Sequence, residues 1–466
     1  MEFFDRTREL TALEERWEAD GAQFALLYGR RRVGKTYLLQ HFLADKPHCY
    51  FLAAQTTLSE NLAQLAEAVL AAVPGSGYAP GDLTTLNGIL RFIGNTAREN
   101  RFALVLDEFQ YLLEQDKAIA SQIQAWWDSD GIRSGVFLIL CGSHLGVMEG
   151  LGGPQAPLFG RFTFRYKLPP MGYEDIARFY DGSKYSVRDK LTAYGVLGGT
   201  PRYHALINRR HNLRDEVCSH ILSPLGLLHN EPEVLLLSSQ VRDPAPYNGA
   251  LRALASGRTR FNEMAQDVGA SSSRLSFYLR GLGDMDWIRR EFPFDETSER
   301  RSIYRVADNF LLFWYRFVAP GRSELESRDA HGVFDRRIGP RMNEYMGSLV
   351  FEGICHQWLR SHGPEQLGTG VIRSGRYWSR DGSLEIDCLA ELEDGRYLIG
   401  ECKWSSMPVG RDVFYELREK AARLPSPKYQ ANPRFVMFSL GGFDPEMRQR
   451  AEQEDVLLVD GEDLLR

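Results

Sequence analysis

The segment Gly29-Arg30-Arg31-Arg32-Val33-Gly34-Lys35-Thr36-Tyr37 follows the apolar run Phe24–Tyr28 and leads into the helical pattern Tyr37–Phe42. A strand, a glycine-rich loop and a helix in this order are the setting of a phosphate-binding loop. The glycines let backbone N–H groups close around phosphate oxygens, and the helix N-terminus adds positive potential. Lys35 can reach the β- and γ-phosphates, and the Thr36 hydroxyl can bind Mg²⁺. Residues Gly29 to Tyr37 are therefore predicted to bind a nucleotide, with an ordinary strand–helix turn as the alternative.

An acidic pair follows a second apolar run. Residues 102–106 are all apolar and end in Asp107 and Glu108, which suits a parallel strand covered on both faces. Asp107 is predicted to hold Mg²⁺ at the carboxyl end of that strand. Glu108 is predicted to polarise the water that attacks the γ-phosphate. Solvated loop acids are the alternative, but the two carboxylates together favour hydrolysis over binding alone.

Two further polar residues are candidates for the same site. The apolar run Val136–Cys141 ends at Gly142 and Ser143, and Ser143, with His144 as second choice, is predicted to sense the γ-phosphate. Arg161 lies in the glycine-flanked segment 157–161 and is a candidate for the arginine that neutralises transition-state charge. A plain strand-end turn and a solvent-facing arginine are the respective alternatives.

Taken in order, these motifs resemble those of the archaeal-type ATPase family, which belongs to the AAA-like signal-transduction ATPases. The matching segments are the loop at Gly29, residues 106–110, 141–143, 157–161 and 198–203. The resemblance covers residues 1–320 well and, through the usual tail of the family, the remainder. It implies ATP as the ligand, a P-loop NTPase fold with a parallel sheet, and a small helical lid that brings Gly198–Pro201 near the nucleotide.

Composition limits the classes of protein that are possible. The 466 residues carry a net charge of −6, which argues against a generally basic DNA-coating protein but leaves room for a local basic face. No apolar run has the roughly 18–20 residues that span a bilayer, and the N-terminus has no signal-peptide pattern. The six cysteines form no CxxC pair. A cytoplasmic protein with reduced, buried thiols is expected, without a membrane partner.

The order of patterns along the chain predicts an α/β protein with four parts. Strands alternate with helices up to residue 167, which indicates a P-loop ATPase core with helices on both faces of a parallel sheet. Residues 168–240 are expected to form a helical lid. Residues 241–320 are expected to form a winged helix, and residues 321–466 an α/β nuclease-like domain.

The winged-helix prediction rests on a helix at Phe261–Val268, a turn at Gly269–Arg274 that opens a second helix, and a hairpin strand at Trp287–Phe294 with a return strand at Tyr304–Val306. In a DNA-reading version the side chains of Ser271–Arg274 face base edges. Arg289 and Arg290 would contact phosphates. A packing or partner surface is the alternative. The aromatic segment 308–317 is predicted to be a core helix.

A second group of charged residues lies in the tail. Residues 385–391 and 396–404 are predicted to form a hairpin around the turn Asp394-Gly395. Strand alternation puts Glu401 and Lys403 on one face, and pairing brings Asp387 beside Glu401. Two converging carboxylates can hold Mg²⁺, and a neighbouring lysine can orient or deprotonate a water.

This hairpin is similar to the core of the restriction-endonuclease-like superfamily, whose motif is Asp followed by Glu-x-Lys. The resemblance covers about residues 340–466 and assigns metal binding to Asp387 and Glu401 and catalysis to Glu401 and Lys403, with Glu352 as a fourth acid. The segment 435–439 would be a later core strand. A surface hairpin with ordinary salt bridges and a nuclease-like fold without cleavage remain open.

The arginines just upstream, Arg373, Arg376 and Arg380, alternate with Tyr377 and Trp378. They are candidates for a nucleic-acid track, although aromatic packing under a sheet explains the pattern equally well.

The sequence therefore predicts an ATP- and Mg²⁺-binding ATPase that acts on DNA, with its ATP state gating a metal-dependent nuclease-like tail. The alternative is an ATP-dependent switch or scaffold that binds DNA or a protein partner without cleavage. If Arg161 acts on a neighbouring subunit, the protein assembles as a homo-oligomer.

Overall fold

The computed structural model describes residues 6–239, 241, 243–296 and 298–466. Two compact units make up the chain. Residues up to 170 together with 200–202 form the first, here the N-unit, and residues 171–199 with 203–466 form the second, here the C-unit. The finer division of the second unit into lid, winged helix and tail stays a prediction.

A five-stranded, entirely parallel sheet of order β2-β3-β4-β1-β5 forms the centre of the N-unit. Its strands are β1 (Gln23–Tyr28), β2 (His48–Leu52), β3 (Phe102–Asp107), β4 (Val136–Gly142) and β5 (Phe164–Lys167). Its helices are α1 (Thr7–Glu18), α2 (Lys35–Leu43), α3 (Leu58–Ala72), α4 (Leu86–Glu99), α5 (Gln110–Gln115), α6 (Ile119–Ser129) and α7 (Leu145–Leu151). This confirms the predicted α/β fold with a parallel sheet.

The sheet is covered on both faces because alternate side chains of its central strands enter two different cores. Phe24, Leu26 and Leu104 pack into one core, and Ala25 and Leu27 pack into the other. Every residue of β1, β3 and β4 is buried. This burial explains the unbroken apolar runs in the sequence, because a strand with helices on both sides has no face exposed to solvent.

The first part of the C-unit is helical and then changes to helices with a hairpin. The helices up to residue 284 are α8 (Tyr173–Arg178), α9 (Val187–Leu197), α10 (Pro201–His204, at the boundary of the units), α11 (Leu213–Val217), α12 (Glu231–Ser238), α13 (Ala245–Ala255), α14 (Phe261–Val268) and α15 (Ser272–Asp284). An antiparallel pair, β6 (Ile288–Glu291) and β7 (Ile303–Val306), follows. The expected helix, turn, helix and hairpin are thus present as elements.

The later helices of the C-unit are α16 (Asn309–Phe313), α17 (Arg322–Ser327), α18 (Ala330–Val333), α19 (Met342–Tyr345), α20 (Phe351–Ser361) and α21 (Gly363–Leu367), with α22 (Arg411–Ala422), α23 (Pro427–Gln430) and α24 (Pro445–Glu454) between and after the last strands. Short 3₁₀ and π-helical turns extend several of them. Phe310, Phe313 and Trp314 are each at most 1% exposed, so the aromatic segment at 308–317 is core, as predicted.

A second five-stranded sheet, of order β12-β11-β10-β9-β8, ends the chain. Its strands are β8 (Val371–Trp378), β9 (Glu385–Leu392), β10 (Tyr397–Lys403), β11 (Arg434–Ser439) and β12 (Val456–Asp460). Strands β8, β9 and β10 pair antiparallel, and β10, β11 and β12 pair parallel. The predicted hairpin and the later core strand are both present.

The loop after β6 is fastened to this second sheet. The Phe294 ring is buried in the core below the sheet together with Tyr397 and Tyr429, and the Phe294 N–H donates to the Arg376 carbonyl at 2.8 Å. The next carboxylate, Asp295, accepts from Arg373, Lys428 and Tyr429. A buried ring and a triply bonded carboxylate therefore fix the hairpin loop to the tail.

The substitution Asp295→Asn tests this attachment through the pH dependence of the free energy of unfolding. Burial raises the pKa of Asp295, but hydrogen bonds from Lys428, Tyr429 and Arg373 outweigh it and hold the pKa at about 2. A lowered carboxyl pKa contributes stability that is present above the unfolded value, near 3.8, and is lost as pH falls through about 2. Asn keeps the positive φ of this position, so the substitution removes mainly charge.

We expect urea unfolding to give a loss of about 1–2 kcal/mol at pH 7, after allowance for solvent screening, and a smaller loss below pH 4. Asp394→Asn is the control, because Asp394 pairs only within its own turn, with Arg396. An equal loss in both variants, or a loss that does not depend on pH, would contradict the attachment.

Candidate functional site

The predicted nucleotide residues lie at the ends of neighbouring strands. Because β1 lies beside β4 and β4 beside β3 in a parallel sheet, the loops after these strands emerge at one edge. The Gly29 N–H donates to the Gly142 carbonyl at 3.4 Å, and the Phe109 N–H donates to the Cys141 carbonyl at 2.9 Å. This edge is where α/β sheets bind ligands.

Both glycines of the loop are required by its geometry. Gly34 immediately precedes α2 and has a φ of 98°, a conformation that side chains rarely adopt. A β-carbon on Gly29 would lie 2.6 Å from the backbone oxygen of Leu168. The loop is therefore a tight turn that leads directly into a helix N-terminus.

Lys35 lies inside this loop. Its side chain is 6% exposed, and its Nζ donates to the carbonyls of Gly29 at 2.9 Å and Arg30 at 3.0 Å. A buried ammonium enclosed by backbone is the arrangement that attracts phosphate oxygens.

Asp107 joins the loop to its neighbours. Its side chain is 1% exposed and accepts from the Thr36 hydroxyl at 3.0 Å, from the Glu108 N–H at 2.8 Å and from the Tyr50 hydroxyl. Burial and the Asp107 charge raise the pKa of Tyr50, so this phenol stays a donor. A hydroxyl beside a carboxylate is an oxygen pair that suits Mg²⁺, and Thr36 and Asp107 would hold the ion.

Glu108 is oriented by two partners. Its Oε2 accepts from the Ser143 hydroxyl at 2.7 Å and from the Gln110 amide, and its own φ is 49°. Ser143 was predicted as a site residue. Gln110, which is 2% exposed, was not, although it follows the acidic pair by two residues. Its role becomes visible only when β3 and β4 are adjacent.

The other predicted loop residues have mixed environments. Val33 is 1% exposed and packs into a core of the N-unit. The Arg31 guanidinium donates to the Tyr111 hydroxyl at 2.9 Å, Arg32 has a φ of 68°, and Tyr37 is 37% exposed. Their contribution to nucleotide binding, like that of the Arg30 side chain, stays a prediction.

Arg161 is engaged away from the loop. It forms a bidentate pair with Asp128 at 2.8 and 2.7 Å, and it donates to the carbonyls of Pro157 and Phe159 at 3.0 Å each. In this conformation the guanidinium stabilises its own segment. A role as an arginine finger would require release from Asp128 and stays a prediction.

One lid residue lies near the loop. Thr200–Arg202 belongs to the N-unit, and a β-carbon on Gly34 would lie 3.7 Å from the Pro201 ring. Pro201 therefore lies beside the loop within the N-unit, and the expected nearness of Gly198–Pro201 to the nucleotide stays a prediction.

The C-unit assembles the predicted tail residues. Glu401, which is 4% exposed, accepts from Lys403 at 2.7 Å, and the Cys402 N–H donates to Asp387 at 2.9 Å. Lys420 of α22, which sequence reasoning missed, donates to both oxygens of Glu401 at 3.0 and 2.9 Å. No spacing pattern predicts Lys420, because the folding of α22 beside β10 brings it there.

Two carboxyl groups of the tail, those of Asp387 and Glu352, have raised pKa values. Burial, followed by the Glu401 charge, raises the pKa of Asp387 to about 6. Burial, followed by the Asp387 charge, raises the pKa of Glu352 to about 8. Arg376 lies 2.7 Å from Glu352. Three acids of the tail thus influence one another electrostatically.

The fit of this cluster to a metal is incomplete. Carboxylate oxygens are suitable ligands for Mg²⁺. Yet in the described ranges of the chain no three or more His, Cys, Asp or Glu side chains are grouped so that they could hold a metal ion. Two lysines pair with Glu401, and Arg376 lies 2.7 Å from Glu352. A metal would have to displace those cations.

The arginines expected to face nucleic acid are mostly paired. Arg289 bonds Glu291 at 2.6 Å, and Arg290 bonds Glu299 at 3.0 Å. Arg373 bonds Glu391 at 2.8 Å. The interleaved aromatics Tyr377 and Trp378 are 8% and 9% exposed, which favours packing over a stacking track. All six cysteines are buried and free, as predicted.

Comparison with known families identifies the N-terminal part. Residues 3–207 match a family described as an ATPase domain predominantly from Archaea. This part of the chain is therefore similar to the ATPase domains of that family. Residues 314–421 match a second family, described as archaeal and bacterial proteins of unknown function.

The chain is also similar to proteins of one archaeon. An uncharacterised protein of Methanocaldococcus jannaschii is 27% identical over 415 residues, which cover 88% of this chain and 89% of the relative. A second protein from that organism, described as an uncharacterised ATP-binding protein, is 50% identical over 44 residues, 9% of this chain and 75% of the relative.

A solved structure shares the fold. The Walker-type ATPase of Pyrococcus abyssi superposes with a TM-score of 0.52 and 22% identity, covering 67% of this chain and 96% of its own. In the part of the chain that the structure describes, no helix is long and apolar enough to cross a membrane.

Glu352→Gln tests the electrostatic coupling of the tail acids. A raised carboxyl pKa contributes stability that is complete below the unfolded value, near 4.5, and is lost as pH rises towards about 8. In EDTA we expect the variant and the parent to unfold alike at pH 5. At pH 8.5 the variant should be more stable by roughly 2–4 kcal/mol.

Glu452→Gln, on the exposed surface of α24, is the matched control and should show no such pH trend, because Glu452 is not among the charges that shift the pKa of Glu352. Equal stability of Glu352→Gln and the parent at both pH values in urea titrations would disprove the coupling.

Proposed function

We propose that this protein binds and hydrolyses ATP with Mg²⁺ as cofactor. The observation that carries the proposal is the pair of carboxylates at one sheet edge, each held in a different way. Asp107 is buried and bonded to Thr36, whereas Glu108 is aimed by Ser143 and Gln110. A site that only binds nucleotide needs the first of these and not the second.

The residues divide the work of hydrolysis. Loop N–H groups and Lys35 would bind phosphate oxygens, and Thr36 and Asp107 would orient the cation, which supplies charge neutralisation. Glu108 would accept a hydrogen bond from the attacking water. Its partner Ser143 lies at the end of β4, so it would sense whether a γ-phosphate is present. These roles require no residue outside the N-unit.

Glu108→Gln tests the hydrolytic role. We expect ATP turnover to fall at least about 100-fold, since loss of a general base costs roughly 10²–10⁴, while affinity for ATP stays within about threefold. Lys35→Ala is the contrasting variant and should lose ATP binding itself. Phosphate release and equilibrium binding of a fluorescent ATP analogue are the two measurements.

Ser143→Ala should lower the turnover rate more than it lowers nucleotide affinity, because it removes one of the partners that orient Glu108. Unchanged turnover in Glu108→Gln would refute the proposed base.

We further propose that the C-unit acts on DNA. The order of helices α13 to α15 and the β6–β7 hairpin supports a winged helix in this unit. The exposed side chains of Ser271, Ser272, Ser273 and Arg274 at the start of α15 support DNA contact. The pairing of Arg289 and Arg290 within the hairpin, and the attachment of its loop to the tail, argue that the wing contributes little.

For the tail we propose a restriction-endonuclease-like domain whose metal-dependent cleavage depends on the ATP state. The adjacency of Asp387, Glu401 and Lys403 supports this. The lysine pairs on Glu401 favour the alternative, a switch or scaffold that binds DNA or a protein partner without cutting. Oligomer formation, with Arg161 acting across subunits, is a further proposal.

Lys403→Ala distinguishes the two. Plasmid and single-stranded DNA are incubated with purified protein and Mg²⁺ or Mn²⁺, with and without ATP. Cleavage that is lost in Lys403→Ala, and that changes at least about tenfold with ATP in the parent but not in Glu108→Gln, would support a gated nuclease.

The matched control is Lys428→Ala, a lysine of the same domain that bonds Asp295 and should leave cleavage intact. Absence of cleavage on every substrate, with ATP still hydrolysed, would instead support the switch or scaffold.

A further inference from the structure

A cavity of about 380 Å³ lies within the C-unit. The β6–β7 hairpin, helix α20 and strand β8 contribute its walls. Its volume is in the range of pockets that take small ligands. It is distinct from the nucleotide loop, since all of its lining residues belong to the C-unit.

The walls of this cavity carry a surplus of positive charge. Four arginines line it, namely Arg289, Arg305, Arg360 and Arg376, against the two carboxylates Glu291 and Glu352. Glu291 is shared by Arg289 at 2.6 Å and Arg305 at 3.2 Å, and Glu352 is paired with Arg376. Even with both acids ionised, the arginines exceed the acids by two charges.

Arg360 carries part of that surplus. Within the described ranges no carboxylate lies within ion-pair distance of it. Burial of the guanidinium, followed by the neighbouring positive charge of Arg289, lowers the pKa of Arg360. Arg360 as a whole is exposed to solvent, so an anion can reach it, and a bound anion would offset the repulsion between the two arginines.

Two neutral polar atoms on the same walls also lack partners. The Ser374 hydroxyl and the His356 Nδ1 are buried and make no hydrogen bond in the described structure. Buried polar groups are nearly always satisfied by protein, ordered water or a ligand, so these two atoms are available to a ligand that accepts or donates hydrogen bonds. The arginine surplus favours an anion as that ligand.

Aromatic surface completes the cavity. Phe292 and Trp378 line it. Trp378 is buried and has Arg376 6.0 Å from its ring centre, so the partly exposed Phe292 is the ring available to a ligand. Arginines bind phosphate in bidentate fashion, and aromatic faces stack on nucleobases. Phosphate groups and a base together describe a nucleotide.

We propose that this cavity binds a single phosphorylated nucleotide, either free or as the 5′-phosphorylated end of a DNA strand. Arg360 and Arg289 would bind the phosphate, Ser374 would donate to it, and the aromatic wall would contact the base. The β6–β7 hairpin would then take part in ligand binding, because it supplies Arg289 to a ligand held against the tail.

The test uses the full chain with Lys35→Ala, which removes nucleotide binding at the loop. The probe is a thymidine dinucleotide with a 3′ fluorophore and either a 5′-phosphate or a 5′-hydroxyl, followed by fluorescence anisotropy. We expect the 5′-phosphate to improve affinity about tenfold or more. Arg360→Gln should abolish that difference.

Arg328→Gln is the matched control, since Arg328 is an exposed arginine of the same unit outside the cavity. Ser374→Ala is a second variant that should also weaken the phosphate preference, and it removes only an unbonded hydroxyl. Competition by AMP would identify a free nucleotide as the ligand, and its failure would identify a strand end.

Equal affinity for the two dinucleotides, or a phosphate preference that persists in folded Arg360→Gln and Ser374→Ala, would overturn the proposal. Neither readout depends on ATP turnover or on DNA cleavage, so the outcome is separate from the functions proposed above.

Discussion

The buried carboxylate of Asp107 holds the ATPase site together. It accepts hydrogen bonds from Thr36 at the start of α2, from Tyr50 on β2 and from the N–H of Glu108. A charge so enclosed is costly unless all of its oxygen lone pairs are used. The same bonds that satisfy Asp107 therefore fix the phosphate loop against β3 and leave Glu108 free for Ser143 and Gln110.

The C-unit handles buried charge in another way. Its acids are placed opposite lysines and arginines contributed by separate elements. Glu401 is shared by Lys403 and Lys420, and Glu352 faces Arg376. The attraction within such pairs is strong where water is excluded. The pairs therefore keep the acids close together while their charges are balanced by lysine and arginine. A cation or a phosphate entering this region has to compete with existing partners, which makes the cluster responsive to ligands.

Much of both sites could be predicted from sequence. The loop at Gly29 and the acids at 107 and 108 follow unbroken apolar runs, and parallel strands bring their ends to one edge. Hairpin alternation likewise puts Glu401 beside Lys403. Lys420 and Arg360 could not be predicted in their roles, because each acquires its partner or neighbour from an element distant in the chain. Gln110 lies only two residues from its partner Glu108 and was missed. The pairing of Arg161 with Asp128 could not be predicted either, because the two residues are 33 positions apart in the chain.

Local pattern determined the α/β class, the phosphate loop and the positions of the tail hairpin, since periodicity and glycine placement act over a few residues. Tertiary structure alone decided which charges are paired and which of the described arginines remain without an acid. It also decided how burial shifts the pKa values of Glu352 and Asp387. Electrostatic energies depend on distance and on exclusion of water. The distances between charges and the exclusion of water around them are set only when segments that are remote in the chain pack together.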